Sequence, residues 1–336
     1  MDSITHIALG ACMGEAFLDR KLGRKALLWG ALAQSAPDID FVASFWMDTP
    51  SSLLGHRGFT HSFLFVALIS VFLALMAERW HRPHNITFRR WLQFFAGVIF
   101  MHVFIDAFNN YGVGWFEPFS HDRISFNAIY VADPFFSIWP GLALVLLIVL
   151  KQTSRQRRKW WTMGLVLGGI YLLYCLFNKV MIDRDVKQIL KKQDIQYTRY
   201  FTTPTALQNW LWYVVAGNDS GYHIGYRSVF DSKKQIDFEY FPRNDKLLDS
   251  VEDTEGLQKL KRFSQEFYTA EKWNDTLVFN DLRFGQVTGW QNSKNKFVFH
   301  YYLKDSADNT LVVQRGRFEG WNRDAFRSLL KRIGGN

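Results

Sequence analysis

Histidine and aspartate residues recur at the ends of apolar segments in the first third of this 336-residue chain. Neutral imidazoles combined with carboxylates suit zinc, manganese or iron, whereas a set made only of oxygen ligands would favour calcium. The set comprises four histidines and three aspartates: His6, Asp38, Asp40, His56, His61, His102 and Asp106. This number exceeds one tetrahedral shell, so it predicts one or two divalent transition metal ions, with zinc expected first and manganese as the alternative.

The spacing of the set supports a shared site. His102 and Asp106 are four residues apart, so on a helix they project from one face and can share an ion. Asp38 and Asp40 follow a proline, and either both carboxylates turn inward or one of them orients a histidine. The metal ligands that we predict are His6, Asp40, His56, His61, His102 and Asp106. Asp38 or Asp40 is expected to be catalytic, as a base or as an orienting group for a metal-activated water.

Three further residues are candidates for substrate binding. Arg57 lies inside the histidine-rich string, and its forked guanidinium suits a phosphate or a carboxylate. Arg123 is either a substrate clamp or a loop charge, and the sequence leaves both open. Asp133 precedes a proline, a pattern most simply explained by a helix N-cap. His121 and Glu117 are weaker ligand candidates in the same loop.

Each of these residues alone has a simpler explanation, because a single His or Asp at a helix end is usually a solvated cap. The metal prediction therefore depends on their convergence on one side of the chain's apolar segments. The remaining histidines are expected outside the site, His81 and His84 in a basic loop and His223 and His300 in strands.

Apolar segments of the first half must position the site. Four are 15–18 residues long, a little under the ~20 of a typical membrane helix: Ser62–Ala77, Trp91–Ile105, Phe135–Leu150 and Trp160–Phe177. Two shorter ones precede them, Ile4–Leu18 and Ala26–Ala36. The Gly10-x-x-x-Gly14 and Gly164-x-x-x-Gly168 spacings predict close helix approach. Cys12 and Cys175 lie inside apolar runs and are expected to be packing residues.

The distribution of basic residues between the loops predicts how these segments are oriented across a membrane. The loops on the other side contain only Arg57 and Arg123, whereas three loops hold thirteen basic residues: Arg20, Lys21, Arg24, Lys25, Arg79, Arg82, Arg89, Arg90, Lys151, Arg155, Arg157, Arg158 and Lys159. By the positive-inside rule, we predict a multi-pass protein of the bacterial inner membrane, with six spans and both termini outside the cytoplasm. The net charge of +9 then reflects cytoplasmic loops and not a nucleic-acid partner.

The second half alternates apolar and polar residues. Strands are expected at Leu211–Ala216, Tyr222–Val229, Gln235–Phe241, Leu277–Phe279, Lys296–Leu303 and Leu311–Phe318, with helices at Thr254–Lys272 and Trp321–Ile333. The predicted fold class is therefore an α-helical polytopic membrane bundle over residues 1–180, followed by a soluble α+β domain, mainly antiparallel sheet, over residues 181–336.

These motifs resemble those of the bacterial YdjM-type family, inner-membrane, LexA-regulated proteins regarded as metal-dependent hydrolases. The resemblance spans roughly residues 1–180 and rests on Thr5-His6, Pro37-Asp38-Ile39-Asp40, His56-Arg57-Gly58-Phe59-Thr60-His61-Ser62, His102-x-x-x-Asp106, Tyr111-Gly112 and Asp133-Pro134. The tail, with Asp281-Leu282-Arg283-Phe284-Gly285, resembles the extension of longer members. What the resemblance implies is a membrane hydrolase with no assigned substrate.

A weaker similarity links the chain to zinc-dependent phospholipases C and the related single-strand nucleases. Their ligand order is followed by His6, Asp40, His56 or His61, His102 and Asp106. The later His and Glu ligands of that superfamily have no counterpart here unless His121 and Glu117 serve.

The function favoured by the sequence is hydrolysis of a phosphoester or ester bond in a lipid or lipid-linked substrate, with the lipid bilayer as partner. A transporter is one alternative, because His/Asp pairs also mark ion pathways. A non-catalytic, metal-stabilised scaffold that binds a partner through its outer domain is another. The oligomeric state is left open.

Overall fold

The computed structural model describes residues 1–80, 86–303 and 320–335, apart from the side chains of residues 19 and 20. The chain forms two compact units, one of residues 1–46 and 55–175 and one of residues 47–54 and 176–336. The predicted domain boundary after residue 180 stays a prediction. Predictions for His81, Arg82, His84 and the strand Leu311–Phe318 fall outside the described residues.

Helices build the first unit. They are α1 (Ser3–Leu22), α2 (Lys25–Ser35), α4 (Phe63–Trp80), α5 (Phe88–Asp106), α6 (Pro134–Val149) and the start of α7 (Gln156–Lys192), with two 3-10 helices at Pro37–Phe45 and Phe59–His61. The short helix α3 (Thr49–Gly55) lies mainly in the second unit.

Side-chain caps explain several of the helix starts. The Thr87 hydroxyl accepts a hydrogen bond from Arg90 N–H at the start of α5. The Asp133 carboxylate accepts from Phe135 N–H and Phe136 N–H, and a proline follows as the first residue of α6. The N-cap reading of Asp133 is thus confirmed.

Three helices of the described chain, α4, α5 and α7, are long and apolar enough to cross a membrane. The apolar part of α1 (Ser3–Leu18) and α6 are apolar but shorter. The segments expected at Ser62–Ala77, Trp91–Ile105 and Trp160–Phe177 therefore lie in membrane-length helices, apart from Ser62, which directly precedes α4. The count of six spans and the orientation of the chain stay predictions.

Small residues bring α1 and α2 into backbone contact. A Cβ atom added at Gly30 would lie 1.9 Å from the carbonyl oxygen of Gly10, and one at Gly14 would lie 2.0 Å from that of Ala26. Only glycine allows this approach, so the predicted role of the Gly10-x-x-x-Gly14 spacing is confirmed. Cys12 and Cys175 are buried free thiols, as expected of packing residues.

A buried ion pair joins α1 to the first turn of α7. Arg157 donates from Nε to Glu15 Oε1 at 2.6 Å and from Nη2 to Glu15 Oε2 at 2.7 Å. Its Nη1 also donates to the carbonyl oxygen of Leu147 at 2.6 Å. The sequence predicted Arg157 in a basic loop, but it lies in the first turn of α7 with a buried guanidinium, because Glu15 and the end of α6 satisfy its donors.

Antiparallel sheets dominate the second unit, as predicted. One has the order β1-β2-β3-β4 and the other β5-β6-β7. The strands are β1 (Arg199–Pro204), β2 (Leu211–Asn218), β3 (Gly221–Ser228), β4 (Glu239–Pro242), β5 (Tyr268–Trp273), β6 (Thr276–Gln286) and β7 (Phe297–Tyr302). The final part of α7 packs Ile182, Val186 and Leu190 against the buried side chains of β2.

Two secondary-structure predictions for the second unit were wrong. It predicted a helix over Thr254–Lys272, but helix α8 covers only Thr254–Phe263 and β5 follows. Gln265 and Glu266 both have positive φ angles, of 52° and 66°, and this conformation cannot continue a right-handed helix. Strand β1 was also missed. The closing helix, expected at Trp321–Ile333, is α9 (Arg323–Ile333), which Asn322 caps.

Gly30→Ala should destabilise the first unit, because its new methyl group would collide with the Gly10 backbone. An overpacked contact of this kind costs about 1–3 kcal/mol. Gly97→Ala is the matched control, since a Cβ there meets nothing within 4 Å. Thermal unfolding in detergent should show a lowered midpoint for the first variant only. Equal midpoints would contradict the close approach of α1 and α2.

The orientation of the chain can be tested by cysteine labelling, because the two native thiols are buried. With the basic loops in the cytoplasm, Ser154→Cys should resist a membrane-impermeant maleimide in intact cells. Asn218→Cys, in the second unit, should react with it. The reverse pattern would place the second unit in the cytoplasm.

Candidate metal centre

Four side chains of the first unit form a group able to hold a metal ion. They are Asp38, His61, His102 and Asp106, and one ligand atom from each lies within 4.8 Å of the others. The last three are buried, whereas the Asp38 side chain is 26% exposed. The group is therefore mostly enclosed by protein, and Asp38 is its one partly exposed member.

Three elements carry these ligands. Asp38 lies in the first turn of the 3-10 helix Pro37–Phe45, which a proline begins. His61 ends the 3-10 helix Phe59–His61, and His102 and Asp106 lie one turn apart in α5. Arg57, before the second 3-10 helix, has a φ of 60°, so the chain turns sharply there and directs its neighbours to the group.

Hydrogen bonds fix which histidine nitrogens carry protons. His102 Nδ1–H donates to the backbone carbonyl of Gln34. Thr60 donates its hydroxyl to Asp40 Oδ2 at 3.2 Å, so the same hydroxyl oxygen accepts from His61 Nδ1–H at 3.1 Å. Both imidazoles therefore keep a lone pair on Nε2. These two Nε2 atoms face each other at 3.2 Å.

Two carboxylate oxygens complete the group of lone pairs. Asp38 Oδ1 lies 3.6 Å from His61 Nε2 and 3.5 Å from His102 Nε2. Asp106 Oδ2 lies 3.6 Å from each of the same nitrogens. Among the described residues this buried oxygen has no hydrogen-bond partner. Burial lowers the pKa of His61 to about 3, so a proton does not reside between the two rings at neutral pH.

Four electron-pair donors facing one another repel, and the Arg57 guanidinium, 3.1 Å from Asp106 Oδ2, offsets this repulsion at one donor only. Two neutral imidazoles and two carboxylates are a donor set typical of zinc and manganese. The residues therefore fit the divalent metal that the sequence predicted. The identity and number of the ions stay predictions.

His6 lies beside the group and not in it. Its Nδ1 accepts from the Gln34 side-chain amide at 3.3 Å, so its Nε2–H donates to Asp106 Oδ1 at 3.1 Å. Its ring also stacks on the His102 ring, with 3.8 Å between the ring centroids. The amino group of Met1 contacts the same Asp106 oxygen. In this arrangement His6 positions two of the four donors, and its lone pair faces Gln34.

Asp40 and His56 also lie next to the group. Asp40 Oδ1 is 3.1 Å from His56 Nδ1, and Asp40 Oδ2 accepts from Arg57 N–H at 2.8 Å. The same Oδ2 is 3.5 Å from His61 Nδ1. Asp40 thus follows the second sequence option, that of orienting a histidine. His56 is 40% exposed and reachable from solvent.

Arg57 is held by protein groups on every side. Its Nη1 donates to Asn109 Oδ1 at 2.8 Å, and its Nε is 3.1 Å from Asp106 Oδ2, without the alignment of a hydrogen bond. Its guanidinium also lies 4.9 Å from the centre of the Tyr111 ring. The positive charge balances Asp106, and the role of Arg57 in substrate binding stays a prediction.

The other candidates lie apart from the four donors. Arg123 Nη2 donates to the carbonyl oxygens of His56 and Gly112, which favours a role in fixing the loop. Asp133 caps α6 and accepts from the Tyr171 hydroxyl at 3.0 Å. His121 and Glu117 pair with each other at 2.7 Å.

Sequence reasoning missed Gln34, Thr60 and Asn109. Gln34 holds His6 with its side chain and His102 with its carbonyl oxygen, and Thr60 fixes the proton on His61. Asn109 holds Arg57. Gln34 carried one usable signal, since it is the only polar side chain between Lys25 and Ser35 in a run of apolar residues.

Fold and site together define a helical membrane protein with a His/Asp group that can hold a divalent ion. The chain belongs to the YdjM inner membrane protein family, whose model matches residues 1–182. This confirms the resemblance carried by the motifs. Every residue of the four-donor group lies within the matched range.

Two curated relatives match about the same length of chain. The uncharacterized protein YfhP of Bacillus subtilis is 32% identical over 170 residues, which cover 45% of this chain and 51% of YfhP. The inner membrane protein YbcI of Escherichia coli is 26% identical over 177 residues, which cover 50% of this chain and 94% of YbcI. This chain therefore spans about half the length of YfhP. No solved structure matches the chain significantly.

Metal content should depend on the four donors. Asp106→Ala and His61→Ala are each expected to remove most of the metal that elemental analysis finds in protein purified without chelator. Asp40→Asn should weaken binding about 10–100-fold, because it loosens His61 without deleting a donor. His121→Ala, on an exposed ring outside the group, is the control and should keep the wild-type content.

Circular dichroism in detergent would check that each variant keeps its helices. Wild-type protein that carries no transition metal, and takes up none on titration with zinc or manganese, would refute the site. Equal metal loss from His121→Ala would show that the ion binds elsewhere.

Proposed function

We propose that this chain is a membrane-bound metal-dependent hydrolase that cleaves a phosphoester or ester bond of a lipid or lipid-linked substrate. The observation that carries the proposal is the set of four facing lone pairs, of which only that of Asp38 belongs to a partly exposed side chain. Four protein donors fill a tetrahedral shell, so the proposal requires a fifth position for water, on the partly exposed side at Asp38.

The proposed metal holders are Asp38, His61, His102 and Asp106. A divalent ion bound there would act as a Lewis acid and would lower the pKa of a bound water. The surrounding groups keep the donors in place. The backbone carbonyl oxygen of Gln34 fixes the His102 ring. Thr60 and Asp40 fix the His61 ring. Because these contacts are preformed, no side chain has to reorganise before a substrate arrives.

We assign proton transfer to the Asp40–His56 pair, which lies beside the donors. A carboxylate at 3.1 Å from Nδ1 holds the imidazole in one orientation, and the ring is 40% exposed. The ring centroids of His56 and His61 are 6.2 Å apart. Asp40 then serves as the catalytic orienting carboxylate, with His56 as the group that takes up or releases the proton at Nε2.

Activity should follow metal loading. We expect wild-type protein loaded with zinc or manganese to hydrolyse a chromogenic phosphodiester, a short-chain ester or a fluorogenic phospholipid, and to lose this activity in EDTA. His102→Ala should lower kcat at least 100-fold, because it removes a metal donor. Phe326→Ser, on an exposed side chain of the second unit, should leave kcat unchanged.

The two alternative functions, a scaffold and a transporter, predict metal binding without hydrolysis. A metal-loaded protein that binds stoichiometric ion but hydrolyses none of these three classes of substrate would favour a structural metal. Metal-dependent ion flux into proteoliposomes, without hydrolysis, would favour the transporter.

A further inference from the structure

The 3-10 helix Pro37–Phe45 has two faces of different chemistry. Its carboxylates, Asp38 and Asp40, contact the histidines of the metal centre. Its large apolar side chains are exposed instead: Ile39 60%, Phe41 58% and Phe45 74%, followed by Trp46 at 80%. We call residues 37–46 the aromatic segment.

Other exposed aromatic side chains lie on the loops that hold the metal centre. Phe59 directly precedes Thr60 and His61, and Phe116 and Phe119 belong to the loop whose backbone pairs with Arg57 through Gly114. Phe119 is 85% exposed. A water-facing surface seldom exposes clustered large apolar side chains such as Phe41, Phe45 and Trp46, so these side chains point to a partner of low polarity.

Charge and position favour the bilayer as that partner. Between residues 37 and 63 the sequence contains one basic residue, Arg57, and its side chain is buried. Helix α4, a membrane-length helix, begins at Phe63 and exposes Leu68, Phe72 and Leu75. The apolar surface of the aromatic segment and its loops therefore adjoins, along the chain, a surface that faces lipid. Trp and other aromatic residues are enriched at the level of lipid headgroups.

We infer that the aromatic segment lies in the headgroup region of the membrane and admits a lipid to the metal centre beside Asp38. The membrane contact stands independently, whereas the identity of the lipid as substrate rests on the proposed hydrolase function. The substrate class is then a membrane-dissolved amphiphile whose cleaved bond lies at headgroup depth. Asp38 is suited to be the point of entry, because it belongs to both the aromatic segment and the four donors and is the exposed member of the group.

Spin labels can measure the depth of the aromatic segment directly. Phe45→Cys would be labelled in full-length protein in vesicles of phosphatidylethanolamine and phosphatidylglycerol, where the two native thiols are buried. Ile170→Cys, on the exposed surface of α7, marks the bilayer interior, and Lys151→Cys, in a basic loop, marks water. Collision rates with oxygen and with a water-soluble nickel chelate then place the label at 45 between these two limits.

Two outcomes would overturn the inference. A label at 45 that collides with the nickel chelate as readily as the label at 151 would put the aromatic segment in water. A label that neither reagent reaches, or that shows spin–spin broadening, would mean that protein covers it, including a second copy of this chain.

The role in admitting substrate has a separate test. Trp46→Ser should reduce hydrolysis of a fluorogenic phospholipid in the same vesicles at least 10-fold, mainly through KM, and leave hydrolysis of a soluble short-chain ester unchanged. Phe326→Ser, which removes an exposed aromatic ring from the second unit, should change neither rate. Equal loss on both substrates would overturn lipid admission. Absence of all hydrolysis in wild-type protein would defeat the proposed function, while the spin-label result would still decide the membrane contact.

Discussion

The arrangement around the candidate metal centre follows from one constraint, the repulsion among four closely spaced lone pairs, three of them on buried side chains. His61 and His102 cannot relieve it by sharing a proton, since each gives its single N–H to an acceptor outside the group. Asp106 keeps one oxygen without a hydrogen bond among the described residues. A divalent cation is the simplest partner for such a set, and the surrounding contacts make sense as supports for it.

Close backbone packing makes these supports possible. Gln34 reaches His6 and His102 because α1 and α2 touch at Gly10, Gly14 and Gly30, where any side chain would push the helices apart. Glycines in the middle of α1 and α2 thus determine the position of donors on α5. The buried pair of Glu15 and Arg157 holds α1 to α7 further along, and breaking such a pair by removing one partner costs about 3–5 kcal/mol.

The metal centre combines rigid and open parts. Asp106 and His102 come from the C-terminal end of a membrane-length helix, whereas Asp38 and His61 come from short 3-10 helices near exposed aromatic side chains. Ligands of the first kind are fixed by packing on all sides. Those of the second kind lie in segments that also carry exposed side chains, such as Phe41, Phe45 and Phe59.

The sequence by itself determined the chemistry: the ligand types, the helical spacing of His102 and Asp106, the family, and the change from apolar helices to antiparallel strands. Those properties follow from residue type and short-range periodicity. Only the tertiary structure decided that Asp38 joins the four donors while Asp40 and His6 support them, that Gln34 takes part, and that the chain leaves helix α8 at Phe263. Side-chain direction and hydrogen-bond partners depend on residues as far as 100 positions apart, as for His6 and Asp106, and local pattern carries no record of such contacts.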